Sequence, residues 1–381
     1  MTAAAIIKRM TRREMIALAS TATFLRAKDA PAPPVAIARC SSYDGDISGA
    51  LAKMFDQLGL NKAVANKTIT IKLNLTGSPG LRFQGKALGV THYSHPKTLG
   101  VMISQLDRAG ARRIRMVESC WASAGPLEEY MLDSGWNVRS LQSAATRAKV
   151  EFENTNALGR AKKYARVKSS SESYIFPAYD LNPAYVETDL FMSMAKLKNH
   201  ETCGITLAMK NCFGNTPASI YGDDAGVDEP NEAPTKGRVN VCHFGKRQPA
   251  KVALPEIDPK SSREPGYRMP RITAELNAAR PVDIAFIDGI ETVAGGEGPW
   301  IKGLRHIKPG VLLLGTNGVT TDAVGTAVMG YDPRAPKGTP PFHNCDNTLL
   351  LAEALGVGTA DLKRIEVRGL SIAEARFPFE A

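Results

Sequence analysis

The sequence predicts an α/β protein of two lobes, with mostly parallel sheets flanked by helices and a long irregular insertion around residues 215–270. Three observations carry this. Short runs rich in branched residues, such as "KTITIKLNL" and "GVLLLGTN", alternate with amphipathic runs of helical length. Glycines close helical runs, as Gly59 and Gly110 do. A strand, a crossover helix and a strand follow one another in "KTITIKLNL", "HPKTLGVMISQLDRAG" and "RIRMVES", the order of a parallel unit.

Taken in order, "VAIARC" predicts the first strand and "ISGALAKMFDQLG" a helix ending at Gly59. Ser94 or His95 caps the next helix, Pro96 takes its first position and Gly110 closes it. Residues 150–177 mix short polar and β-prone runs. "YVETDLFMSMAKLKN" reads as a buried strand and "GITLAMKNCFG" as a short amphipathic helix. Residues 215–270 have little periodicity, as expected of a binding loop or lid. "MPRITAELNAAR" then predicts a helix, "VDIAFIDGIE" and "GVLLLGTN" strands, and "TTDAVGTAVMG" a helix capped by Thr321 or Asp322. A further helix in "TLLLAEALGVG" and a strand in "RIEVRG" close the chain. The expected organisation is a leader and spacer over 1–34, one lobe over 35–190 and a second over 191–381.

With 381 residues, 43% hydrophobic and 23% charged, the chain can bury a core. The net charge of +10 favours anionic partners, but its cations are dispersed and no nucleic-acid motif is present. Arg12 and Arg13 precede a short apolar stretch and a Pro/Ala spacer, the layout of a twin-arginine signal. The expectation is a periplasmic or extracytoplasmic protein handled by the twin-arginine export machinery; an ordinary basic N-terminus is the other reading. The apolar stretch is too short to span a membrane. Six cysteines show no C-x-x-C spacing, so zinc-ribbon and ferredoxin sites are excluded, whereas one or two disulfides stay open.

In open α/β sheets ligands gather where strands end. That rule selects Lys72 and Asn74 in "KLNLTG", His92 and His95 in "THYSHP", and Lys196, Lys198, His200, Lys210 and Asn211 in "SMAKLKNHETCGITLAMKNCFGN". Together they predict a cleft for a small anionic ligand. His92, His95 and His200 are candidate metal ligands or acid–base groups; one capping and one surface histidine would explain His92 and His95 equally. Lys210, on a partly apolar helix, is a candidate nucleophile or base, or a lysine reaching solvent. Asn211 and Asn215 could bind a ligand or end the helix. Cys203 and Cys212 read as apolar fillers or ligands. Glycines in "AGGEGPWIKG" offer N–H groups to an anion or make a tight turn. No Walker loop, G-x-S-x-G elbow or H-E-x-x-H is present.

These segments, from about Lys67 to Gly369, resemble the bacterial and archaeal family called domain of unknown function 362. "KLKNH…GITLAMKNCFG" is the most specific part. The family supplies no settled reaction, and some members carry an iron–sulfur domain whose cysteines this chain lacks. Where the family often has Met-Glu before its glycine, this chain has Val293-Ala294-Gly295, which weakens the case for a carboxylate there. The histidine–helix–lysine run is also similar to lactate racemases that use a nickel-pincer nucleotide. That likeness implies Lys210 as a covalent anchor for a nucleotide-type cofactor, with nickel or another divalent metal near His200, His92 and His95. The expectation is an exported enzyme with racemase- or epimerase-like proton or hydride transfer. The alternative is a non-catalytic periplasmic protein that binds a phosphate- or carboxylate-bearing ligand.

Overall fold

The computed structural model describes residues 29–170 and 172–380. The expected export signal falls mainly on residues 1–28, outside the described residues.

Eight strands build one sheet: β1 (Val35–Arg39), β2 (Thr68–Lys72), β3 (Arg113–Glu118), β4 (Lys149–Asn154), β5 (Leu190–Lys196), β6 (Ile284–Gly289), β7 (Val311–Gly315) and β8 (Val367–Gly369). Their order is β8-β1-β7-β6-β5-β2-β3-β4. All neighbours are parallel except β7, which runs antiparallel to both β1 and β6. The expected division into lobes at 190/191 does not divide the sheet. β5 pairs in parallel with β2 on one side and β6 on the other, so both halves of the chain share one layer. Local sequence patterns carry no information on that pairing.

The central strands are apolar on both faces, as a sheet covered on both sides requires. Alternate residues go to opposite layers. Ile69, Ile71, Met192, Met194, Leu312 and Leu314 pack in one core, under helices α1 (Ile47–Gln57) and α2 (Pro96–Arg108). On the other face lie α3 (Leu207–Asn211), α4 (Pro265–Ala279), α5 (Gly318–Val328) and α6 (Thr348–Ala354), packed on Val311, Leu313, Phe191 and Ala285.

The caps explain where these helices begin. Asp46 accepts from Gly49 N at α1, and Gly59 beyond its end has φ 67°. His95 caps α2 by accepting from Lys97 N, with Pro96 at the first position. At α5 the cap is Asn317, which accepts from Val319 N and Thr320 N, rather than Thr321 or Asp322. Asp322 instead lies one turn inside and serves α3, as described below. All six cysteines are buried free thiols, so none of the disulfides left open by the sequence forms. Among the described residues no helix is long and apolar enough to cross a membrane.

Candidate functional site

The parallel strands β2, β3 and β5 end on the same edge of the sheet. There a cavity of about 460 Å³ opens, closed by α3, by residues 237–243 and by the 297–300 turn. Lys72 shares parity with Thr70, opposite Ile69 and Ile71, and therefore emerges on the α3 side. Its ammonium pairs with Glu118 at 2.5 Å, both groups being buried, and donates to Leu73 O. Glu118 also accepts from Leu75 N. Gly214 passes so close that a Cβ there would lie 2.8 Å from Lys72 Nζ, so this position has room for glycine only.

Lys198 stands two residues beyond the end of β5. Its Nζ donates to Asn74 Oδ1 (3.1 Å), His92 O (2.8 Å) and Glu297 O (3.0 Å), all neutral acceptors. Burial without a bonded carboxylate lowers its pKa to about 7. Asn74 Nδ2 donates onward to Asn211 Oδ1, and Asn211 Nδ2 to Ser193 Oγ and Lys72 O. The two asparagines are thus fully used in holding β2, β5 and α3 together, and they fix Lys198 at the wall.

Lys210 differs from the other lysines. Its Nζ lies 4.4 Å from the centre of the Phe213 ring, and among the described residues it makes no hydrogen bond or ion pair. Burial lowers its pKa. Arg238 is buried, donates to Thr216 O and Asn156 Oδ1, and likewise has no carboxylate within ion-pair distance. Two imidazoles complete the interior. His200 Nδ1 accepts from Thr202 N and sits 3.8 Å from Glu297 Oε2; burial lowers its pKa to about 3. His243 packs edge-on against Phe213, its Nδ1 is buried with no partner, and burial lowers its pKa to about 4. Both rings are therefore neutral at physiological pH. The neighbouring His200, the bonds from Glu201 N and Trp300 Nε1, and Lys210 outweigh the burial of Glu297 and bring its pKa to about 2.

Lys72, Asn74, Lys198, His200, Lys210 and Asn211 meet in this cavity; Lys196, His92 and His95 do not. Lys196 shares parity with Met192 and Met194 and so points into the α1–α2 layer. There it pairs with Asp288 at 3.4 Å and donates to Tyr43 OH, Gly89 O and Glu291 O. It is an internal ion pair rather than an anion clamp. His95 is committed to capping α2 and stacks on Tyr43 at 3.5 Å. His92 is fully buried behind Trp300, with ring centres 6.0 Å apart. The metal set expected from His200, His92 and His95 is consequently not assembled. Among the described residues no three His, Cys, Asp or Glu side chains could hold a metal ion.

Glu118, Arg238, His243, Glu297 and two tryptophans line the cavity without having been singled out in the sequence. Glu118 ends a parallel strand, so the rule that chose Lys72 could have chosen it. Glu297 lies in the glycine turn, where the sequence points to backbone N–H groups and weakens the case for a carboxylate. Arg238 and His243 come from the aperiodic insertion.

α3, which carries Lys210, opens on Leu207 with φ 40°, a strained value for a side chain branched at Cγ. Asp322 stabilises it: one oxygen accepts from Ala208 N and the other from Met209 N, each at 2.8 Å. Burial raises the pKa of this carboxyl to about 8. Asp322→Asn, whose amide nitrogen cannot accept, should lose one of these two bonds and cost about 1–3 kcal/mol in denaturant unfolding, and Asp322→Leu, leaving both buried N–H groups unpaired, about 2–4 kcal/mol.

No curated protein matches the chain. A solved structure, the lactate racemase apoprotein from Thermoanaerobacterium thermosaccharolyticum, is similar at 11% identity and a TM-score of 0.34; the match covers 74% of this chain and 55% of that one. The model of the family described as domain of unknown function (DUF362) matches residues 69–327, and the chain belongs to that family.

Proposed function

We propose that this chain is an enzyme that binds a small anion, a carboxylate or phosphate ester, in the cavity and carries out acid–base chemistry on it, of the racemase or epimerase kind. One observation supports this most. Three cations without a carboxylate partner, Lys198, Lys210 and Arg238, converge on one cavity beside two neutral imidazoles. Lys210 has N–H groups to give and is the contact for the anion, or the covalent anchor for a cofactor. Lys198 has its N–H groups occupied and contributes positive field, and Arg238, held through Nε and Nη2, adds field and the N–H groups of Nη1. His243, which lines the cavity as a neutral imidazole, is the proton acceptor, with His200 as second. The twin-arginine pattern supports export to the periplasm.

Intact-mass measurement on protein from a native-like host, with elemental analysis, tests this reading. Added mass that disappears in Lys210→Ala supports the anchored cofactor, and loss of the N-terminal segment supports export. An unmodified, metal-free chain that binds anions unchanged in His243→Gln favours the second reading, a binding protein, which the same cations would serve. An intact N-terminus argues against export.

The pH dependence follows from Lys198. Its charged form attracts the anion and is lost as pH rises through about 7, while the imidazoles are already neutral above about 4. Affinity for sulfate, whose own charge is constant, should be full below pH 7 and fall by up to about tenfold per pH unit above it. Calorimetric titration on either side of that pH reads the slope.

A further inference from the structure

The cavity has a cationic floor and an aromatic rim. Nine large apolar side chains are exposed among the described residues, and four of them, Leu81, Trp121, Val239 and Trp300, line this one opening. The exposed tryptophans are both among the four, at 50% and 45% exposure. Exposed apolar surface gathered at the mouth of a charged cavity marks contact with a ligand rather than chance.

Both indoles are seated deliberately. A Cβ on Gly77 or Gly298 would come within 2.6 or 2.3 Å of the Trp300 ring, so two glycines from different loops make room for it. Its Nε1 donates to Glu297 Oε1 at 3.1 Å, and its plane is braced edge-on by His92. Trp121 lies over Gly237, where a Cβ would stand 3.2 Å from the indole nitrogen. The residue after it, Ala122, takes φ 53°, a left-handed value that turns the chain at this point. Deeper in, Phe213 carries Lys210 Nζ over its face and His243 at its edge.

We infer that the ligand is a planar ring joined to an anionic group, an aryl or heteroaryl carboxylate or phosphate. Its anion lies toward Lys210 and its ring lies against Trp121 and Trp300. The inference rests on the anion-binding reading above and adds the chemistry of the other end of the ligand. Aromatic faces select flat rings over saturated ones of equal size, because stacking needs a planar partner. A cavity of about 460 Å³ holds one such ring and its substituent but not a chain of several units.

Dissociation constants of benzoate, cyclohexanecarboxylate and acetate for the full chain, from tryptophan fluorescence and calorimetry, test this. Benzoate should bind about tenfold more tightly than either of the others. In Trp121→Ala that preference should collapse while acetate affinity holds, and Trp121→Phe should restore most of it. Equal binding of benzoate and cyclohexanecarboxylate, with acetate still bound, would overturn the ring and leave the anion site standing. No binding of any of the three would overturn both.

Discussion

Lys210→Met should weaken binding of an anionic ligand by ~100-fold while leaving the melting temperature within a few degrees of the parent. The reasoning starts from the partners of each cation. Lys72 is neutralised by Glu118, Lys198 spends its N–H groups on carbonyl and amide oxygens, and Arg238 is anchored through Nε and Nη2 to Thr216 O and Asn156 Oδ1. Only Lys210 among these four presents an ammonium that faces nothing but the ring of Phe213. Removing it takes away the direct donor for the ligand but breaks no hydrogen bond in the free protein. Methionine keeps the length and the apolar stem, so packing on Phe213 survives. Calorimetry with sulfate, beside a thermal melt, separates the two effects.

Lys72→Met should do the reverse. It leaves Glu118 buried with one backbone donor, Leu75 N, and no ion-pair partner. Losing one member of a buried pair costs about 3–5 kcal/mol, mostly through the stranded partner. The double variant Lys72→Met/Glu118→Gln should recover more than half of that loss, since no stranded carboxylate remains. Denaturant unfolding of the two variants and the parent supplies the comparison. A loss in the double variant equal to that in Lys72→Met would mean that the stranded charge is not the cause.

How much of this was legible beforehand depends on the range of the interaction. Local rules located strands and helices well: His95, Pro96 and Gly110 punctuate α2 as their chemistry requires. The rule that ligands gather at strand ends brought six of nine chosen residues to one cavity. It failed at Lys196 because proximity to a strand end does not say which face a side chain takes. Parity with Met192 and Met194 sends it beneath the sheet, two residues before Lys198 escapes the edge. His92 and His95 share a loop with neither ring in the cavity, one ring being used as a cap and the other as packing. Arg238 and His243 arrive from a segment with no period to read. The single sheet was hidden for a similar reason, since the residues that β5 pairs with in β2 and β6 lie more than ninety positions away in the chain, and only the folded register reveals it.

The central claim is that Lys210 is the contact for a bound anion. The most direct measurement is a calorimetric titration of the full chain with sulfate at about pH 6.5, where Lys198 retains much of its charge. The account predicts a single saturable site in the parent and its loss in a folded Lys210→Met. Equal affinity in parent and variant would contradict it.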